Sequence, residues 1–173
     1  MTSGPNPDVD GALLAEIANK ADLVWVEIPG QPARAMWHVW HDGAITLVTG
    51  GLEQPDPGFA EGEAVLLILR SKDKATRVLT VRAAASKVLP TSPEWAEAAQ
   101  ALHPQRLNQS DGEAQPERWR TESTLWTLRA LGEVVEGPGR MSDESHRAEP
   151  IPSDATTSMR HPFHAGKATK RRR

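Results

Sequence analysis

Hydrophobic positions along this chain change period several times, and each change marks an element. Leu13, Leu14, Ile17, Ala18 and Ala21 recur at helical spacing, which predicts a short amphipathic helix near the start. "LVWVEI", Leu23 to Ile28, is rich in β-formers and stops at the turn signal "PGQP". Ala33 to Thr49 reads as a hairpin around Asp42-Gly43, a pair that tolerates the positive φ angles of a type I′ turn. "GLEQPDPGFAEGE" is a loop by its proline, glycine and acid content. Val65 to Leu69 reads as a buried strand, "RSKDKAT" as a charged turn, and Arg77 to Leu89 as a long strand with a bulge around Ala83–Ala85. Ser92 as N-cap and Pro93 at the first helical position open a helix with Trp95, Ala98, Ala99 and Leu102 on one face. His103-Pro104 ends it. A polar stretch follows, with one helical turn at "PERWRTE", and then a last strand from Ser123 to Leu131 with Trp126 and Leu128 on one face. About six strands, mostly joined by hairpins, and two to three helices predict an α+β fold built on an antiparallel barrel.

The hairpin "RAMWHVWHDGAITLVTGG", Arg34 to Gly51, permits a register. With Asp42 and Gly43 as the turn residues, His41 pairs with Ala44, Trp40 with Ile45, His38 with Leu47, Met36 with Thr49 and Arg34 with Gly51. Alternation then puts Arg34, Met36, His38, Trp40, Ile45, Leu47 and Thr49 on one face, and Ala35, Trp37, Val39, Thr46 and Val48 on the other. Both faces are largely apolar, so one fills the barrel and the other is covered by a helix, a second subunit or a ligand. At the open end, Arg34 and Thr49 become diagonal neighbours beside Gly50-Gly51. A guanidinium fork, a hydroxyl and closely approachable backbone N–H groups suit a phosphate. The same pattern also fits an arginine paired to a carboxylate at a barrel rim.

Charge divides the chain. Residues 1–136 carry 12 Lys and Arg against 19 Asp and Glu, while residues 137–173 carry 8 against 4. The body is mildly acidic and is not a nucleic-acid surface; only the terminal "KATKRRR" could touch nucleic acid or anionic lipid, and weakly. From Gly137 onward large apolar residues are too sparse to offset ordering entropy, so residues 137–173 are expected to form a disordered, basic-ended tail after a 1–10 flexible start and an 11–136 domain. The absence of cysteine excludes thiolate catalysis and disulfides and fits a reducing compartment. No signal peptide is read at the N-terminus, and the longest apolar run, "AVLLIL", is too short to cross a bilayer. A cytoplasmic protein with no membrane association is the expectation.

Helix, strand, an "R…W…W.DG…..TGG" hairpin, loop, strand, charged turn, long strand and helix follow in an order that resembles the pyridoxamine 5′-phosphate oxidase-like split β-barrel family. Members from high-GC bacteria also carry segments like "SPEW", "RLN" and "DGEAQPERW". The likeness spans roughly Gly11 to Leu131. It implies a homodimer that holds FMN or a deazaflavin (coenzyme F-420) between subunits and acts on a small-molecule substrate. By resemblance, Arg34 and Thr49 approach the flavin phosphate, and Trp37 or His38 lies near the ring. The family often follows the threonine with a basic segment. Here "GGLEQPDPGFAEG" has no basic residue, and Arg70 or Lys72 of the next hairpin would have to substitute.

Two functions follow from this as expectations. One is a flavin- or deazaflavin-dependent oxidoreductase, in which the cofactor carries the chemistry and no catalytic side chain is assigned. The other is a non-catalytic split-barrel dimer that has lost its cofactor and serves as a binding or structural protein. His38 and His41 point to opposite faces of a strand, so no metal site is expected there. Arg118 and Arg120 flank Trp119 and would cover a pocket mouth or form a dimer rim.

Overall fold

Seven strands and three helices are arranged around two hydrophobic cores in the computed structural model, which describes residues 7–74, 76–107 and 111–144. Helix α1 (Pro7–Lys20) leads into strands β1 (Leu23–Glu27), β2 (Arg34–Trp37), β3 (Val39–His41), β4 (Ala44–Thr49), β5 (Ala64–Arg70) and β6 (Arg77–Val88). Then come α2 (Pro93–Leu102), α3 (Gln115–Glu122) and β7 (Thr124–Glu136). The compact unit that these elements form extends to Asp143. Residues 1–6 of the expected flexible start and residues 145–173 of the expected tail lie outside the described residues, whereas residues 7–10 already belong to α1.

Each strand pairing is antiparallel, in the order β2-β1-β5-β6-β7-β4-β3. The two edge strands, β2 and β3, are separated in the chain by His38 alone. The sheet therefore curls into a half-barrel in which one continuous segment, residues 34–41, serves both edges. This accounts for seven strands where about six are expected: the segment changes partners midway. β7 also runs on past Leu131, where the sequence pattern ends it, to Glu136, and it follows β6 through register shifts at Thr80/Val81 and Val81/Ala83. The shifts precede the Ala83–Ala85 position expected from the sequence.

Alternation along the strands separates the two cores. Val24, Val26, Ile45, Leu47, Leu67 and Leu128 point inward, joined by Leu14, Ile17 and Ala18 of α1. Val48, Val88 and Leu125 point outward and are covered by Trp95, Ala98, Ala99 and Leu102 of α2 together with Trp119 of α3. The second apolar face of the hairpin is thus covered by a helix, which closes the choice among helix, subunit and ligand for that part of the sheet. Burying each such large side chain contributes about 1.5–3 kcal/mol. Pro93 opens α2 as expected, but the Ser92 hydroxyl makes no capping hydrogen bond.

Among the described residues, no helix joins the apolar side chains on the other half of the outer surface in a core cluster. Leu23, Trp25, Leu66 and Ile68 share that half, since Trp25 stands opposite Ile68 and Glu27 opposite Leu66. Leu23 is 52% exposed there, and the Arg70 guanidinium lies 5.9 Å from the centre of the Trp25 ring. Among the described residues no helix is long and apolar enough to cross a membrane.

Candidate functional site

The turn behaves as the sequence requires. Asp42 (φ 47°) and Gly43 (φ 68°) take left-handed backbone, and His41 pairs with Ala44, Trp40 with Ile45 and Val39 with Thr46. Beyond Val39 the expected register is overturned. β2 leaves β4 and pairs with β1, which sets Met36 opposite Val24 and Arg34 opposite Val26, while Thr49 pairs with Thr124 of β7. The cause is local: His38 breaks the strand, and its ring turns into the core. Its Nε2 lies 3.2 Å from the Ala18 carbonyl of α1, an acceptor only, so Nε2 carries the proton. Burial pushes the imidazole down to about 4, against the opposing effect of the Ala18 and Met36 carbonyls. His38 is thus a neutral core group that joins α1 to the curled edge.

Gln54 fills the opening that this divergence creates. Its Oε1 accepts from the Trp37 N–H (2.8 Å), and its Nε2 donates to the carbonyls of Trp37 (2.9 Å) and Val48 (3.1 Å). One side-chain amide stands in for the missing strand pairing. It arrives there through a tight reversal at Gly50 (φ 82°) and Gly51 (φ 59°), where Gly50 N–H is engaged by the Gln54 carbonyl at 2.9 Å. A Cβ on Gly51 would stand 3.0 Å from the Glu122 carbonyl, so close approach to α3 requires glycine.

Glu53 occupies the centre of this corner. Its side chain is 2% exposed and accepts from Arg106 Nε (2.8 Å), Arg118 Nη2 (2.9 Å) and Trp119 Nε1 (2.9 Å). Arg118 is also paired through Nε to Asp111. Burial alone would raise the Glu53 carboxyl, but the donated hydrogen bonds of Trp119, Arg118 and Arg106 outweigh it and hold the group below its ordinary value of 4.5. Arg118 therefore covers no pocket mouth. Arg120 is exposed but engaged within the chain: its guanidinium stacks 4.1 Å from the Trp95 ring centre and donates to the Pro90 carbonyl. Further along the loop, Phe59 enters the inner core and packs against Trp126 at 5.3 Å.

These placements test the residues against a phosphate-bearing cofactor. Thr49 is fully buried, and its hydroxyl lies 3.2 Å from Asp56 Oδ2 and 3.5 Å from the Thr124 carbonyl, both acceptors. Arg34 is exposed on β2, in register with β1. Arg70 faces Arg77 at the start of β6 and Lys72 lies in the turn between them, whereas Thr49 adjoins Thr124, next to the residue that faces Val88 at the other end of β6. Within one chain, then, the expected cations are not gathered around Thr49; the neighbouring loop supplies carboxylates. The Thr49 hydroxyl itself is directed at acceptors. Among the described residues no group of three or more His, Cys, Asp or Glu could hold a metal ion.

Trp37 is the exception, because its half-buried indole borders a cleft of about 240 Å³ lined also by Val48, Leu52, Glu53, Gln54 and Arg106. The Arg106 guanidinium lies 5.9 Å from the centre of that ring.

No family model matches the chain, and no curated protein matches it. A solved structure, the conserved hypothetical protein Rv2991 from Mycobacterium tuberculosis, is similar at 20% identity and a TM-score of 0.48, over 69% of this chain and 79% of that one.

Proposed function

We propose that this chain is a non-catalytic split-barrel protein that acts as a binding module in the cytoplasm, without a flavin at the Thr49 corner. The resemblance of the hairpin to pyridoxamine 5′-phosphate oxidase-like proteins supports the barrel type. The observation that carries the functional reading is Glu53, with Asp56 beside it. Where that family commonly places cations for a phosphate, this chain buries one carboxylate under two arginines and turns another to the Thr49 hydroxyl. A phosphate there would meet negative charge and a hydroxyl already directed at acceptors. The direct test is titration of FMN and of the deazaflavin coenzyme into the purified protein, followed by fluorescence. The reading predicts no saturable binding at high micromolar concentration, and saturation by either would overturn it. The second reading, a flavin- or deazaflavin-dependent oxidoreductase, is favoured only by the accessible Trp37 indole beside a cleft.

The reading includes a homodimer. The outer face of β1 and β5, with exposed Leu23 and half-buried Trp25, Leu66 and Ile68, is the kind of apolar surface that a second copy covers. Leu66→Asp is expected to shift sedimentation from dimer to monomer. A wild-type chain that sediments as a monomer at tens of micromolar would remove the dimer.

A further inference from the structure

We propose that the cleft beside Trp37 binds a small aromatic carboxylate. This deepens the binding-module reading and rests on it, since it names the ligand class for a protein that does not hold a flavin. Three features of the cleft converge on that class.

The first is an available guanidinium. Among the described residues Arg106 is hydrogen-bonded only through Nε, to Glu53, and it lines the cleft with its terminal nitrogens free. A fork of two N–H donors held from behind is suited to two carboxylate oxygens, and the pair with Glu53 fixes its direction. The second is an apolar bed. Trp37 borders the cleft with a half-buried indole, Val48 forms part of the wall, and Leu52 stands at the lip with 69% of its surface exposed, a cost to an apolar side chain. The third is size. About 240 Å³ falls below the roughly 300–1,000 Å³ of clefts that take larger organic ligands, and it suits one ring with its substituent. A monoanion is preferred over a phosphate dianion because Glu53 already answers part of the Arg106 charge at 2.8 Å.

Two other clefts among the described residues lack this combination. One, about 350 Å³ between α2 and the β3–β4 turn, has its Arg129 paired to Asp42 and sets Lys87 beside Glu94 and Glu97, with no indole in its lining. The one beside α1, about 250 Å³, is lined by Leu14, Trp40, Val81 and Ala130 with no cation.

The test uses the full chain, isotope-labelled, with benzoate as probe and benzamide as its neutral counterpart. Binding is read from the Trp37 indole and Arg106 Nε–H signals, each assigned by substitution. Benzoate is expected to shift both signals saturably, with a Kd on the order of 1 mM, the affinity that one ring's worth of contact supplies. Benzamide is expected to bind at least about tenfold more weakly, because it cannot make the charge-assisted pair. Arg106→Gln would also disturb Glu53, so the decisive variant is Leu52→Asp on the exposed lip, expected to weaken benzoate at least about tenfold while the melting temperature holds. Equal binding of benzamide, an unaffected Leu52→Asp, or no shift of the two signals at 10-fold excess over the expected Kd would each overturn the proposal. Saturable FMN binding would instead overturn the cofactor-free reading beneath it, whatever benzoate does, so the two failures are distinguishable.

Discussion

Replacing Glu53 by alanine removes the acceptor for four donors at once, Arg106, Arg118, Trp119 and, at 3.5 Å, Gln115, and the cost can be worked from their surroundings. Taking one partner from a buried ion pair costs about 3–5 kcal/mol, because the other charge is left uncompensated. Two features reduce this here. Arg118 keeps Asp111, and the Arg106 side chain is 26% exposed and can turn to water. Trp119 Nε1 is left buried without an acceptor, at about 1–3 kcal/mol, and buried Gln115 loses its longer bond of 3.5 Å. We expect Glu53→Ala to lose about 2–3 kcal/mol of unfolding free energy, weighing the full pair cost against the retained partners. At about 2–4 °C per kcal/mol for a domain of this size, the melting temperature should fall by roughly 4–12 °C. Urea unfolding should show a lower midpoint with an unchanged slope. Glu53→Gln keeps the shape and one acceptor and should lose about 1–2 kcal/mol, the difference between charged and neutral hydrogen bonds. The pH dependence supplies a second reading. The folded value of Glu53 lies below its unfolded one, so its ionised form stabilises the fold above the ordinary carboxylate range, and that contribution is lost as pH falls through the lowered folded value. The gap between wild type and Glu53→Gln should therefore be constant near neutrality and close in acid. A Glu53→Ala protein within about 0.5 kcal/mol of wild type, the range of ordinary surface changes, would refute the reasoning.

Gln54→Glu should destabilise more than Gln54→Ala, because a carboxylate would face the Trp37 and Val48 carbonyls that Nε2 now satisfies; equal midpoints in urea would contradict this. Gly51→Ala should cost more than Gly58→Ala, since both adopt positive φ but only Gly51 would bring a Cβ to 3.0 Å of the Glu122 carbonyl, whereas at Gly58 nothing lies within 4 Å; thermal melts of the two variants decide it. His38 should remain neutral until near pH 4. Its folded value lies below the unfolded 6.5, so the stability it supports is complete above 6.5 and declines as pH falls from there to about 4, by up to about 3 kcal/mol. Imidazole proton shifts that titrate near 6.5 in the folded protein would oppose this.

Local rules made much of the architecture legible in the sequence. The Asp42-Gly43 reversal, the two-faced hairpin and the α2 face of Trp95, Ala98, Ala99 and Leu102 follow from period and turn chemistry, and the structure has each of them. What escaped depends on long-range contacts. Pairing by count through Met36 and Arg34 assumes an unbroken ladder, whereas His38 buries its ring and sends β2 to a partner already formed by β1. Glu53, Gln54 and Phe59 sit in a stretch whose proline, glycine and acids signal exposure, yet all three face inward. Phe59, a lone aromatic in a polar loop, was a usable hint. Nothing local marks Glu53, because its partners Arg106, Arg118 and Trp119 come from more than fifty residues away. The segment "DGEAQPERW" carried those partners in plain view, but only the fold shows that Arg118 and Trp119 share one carboxylate.

The measurement that reaches the centre of this account is the side-chain carboxyl titration of Glu53 by carbon NMR, assigned with Glu53→Gln. A carboxylate gripped by Arg106, Arg118 and Trp119 titrates with a midpoint below 4.5. A midpoint at or above 4.5 would mean that the loop is not locked in this way, and the corner would be open again to a phosphate.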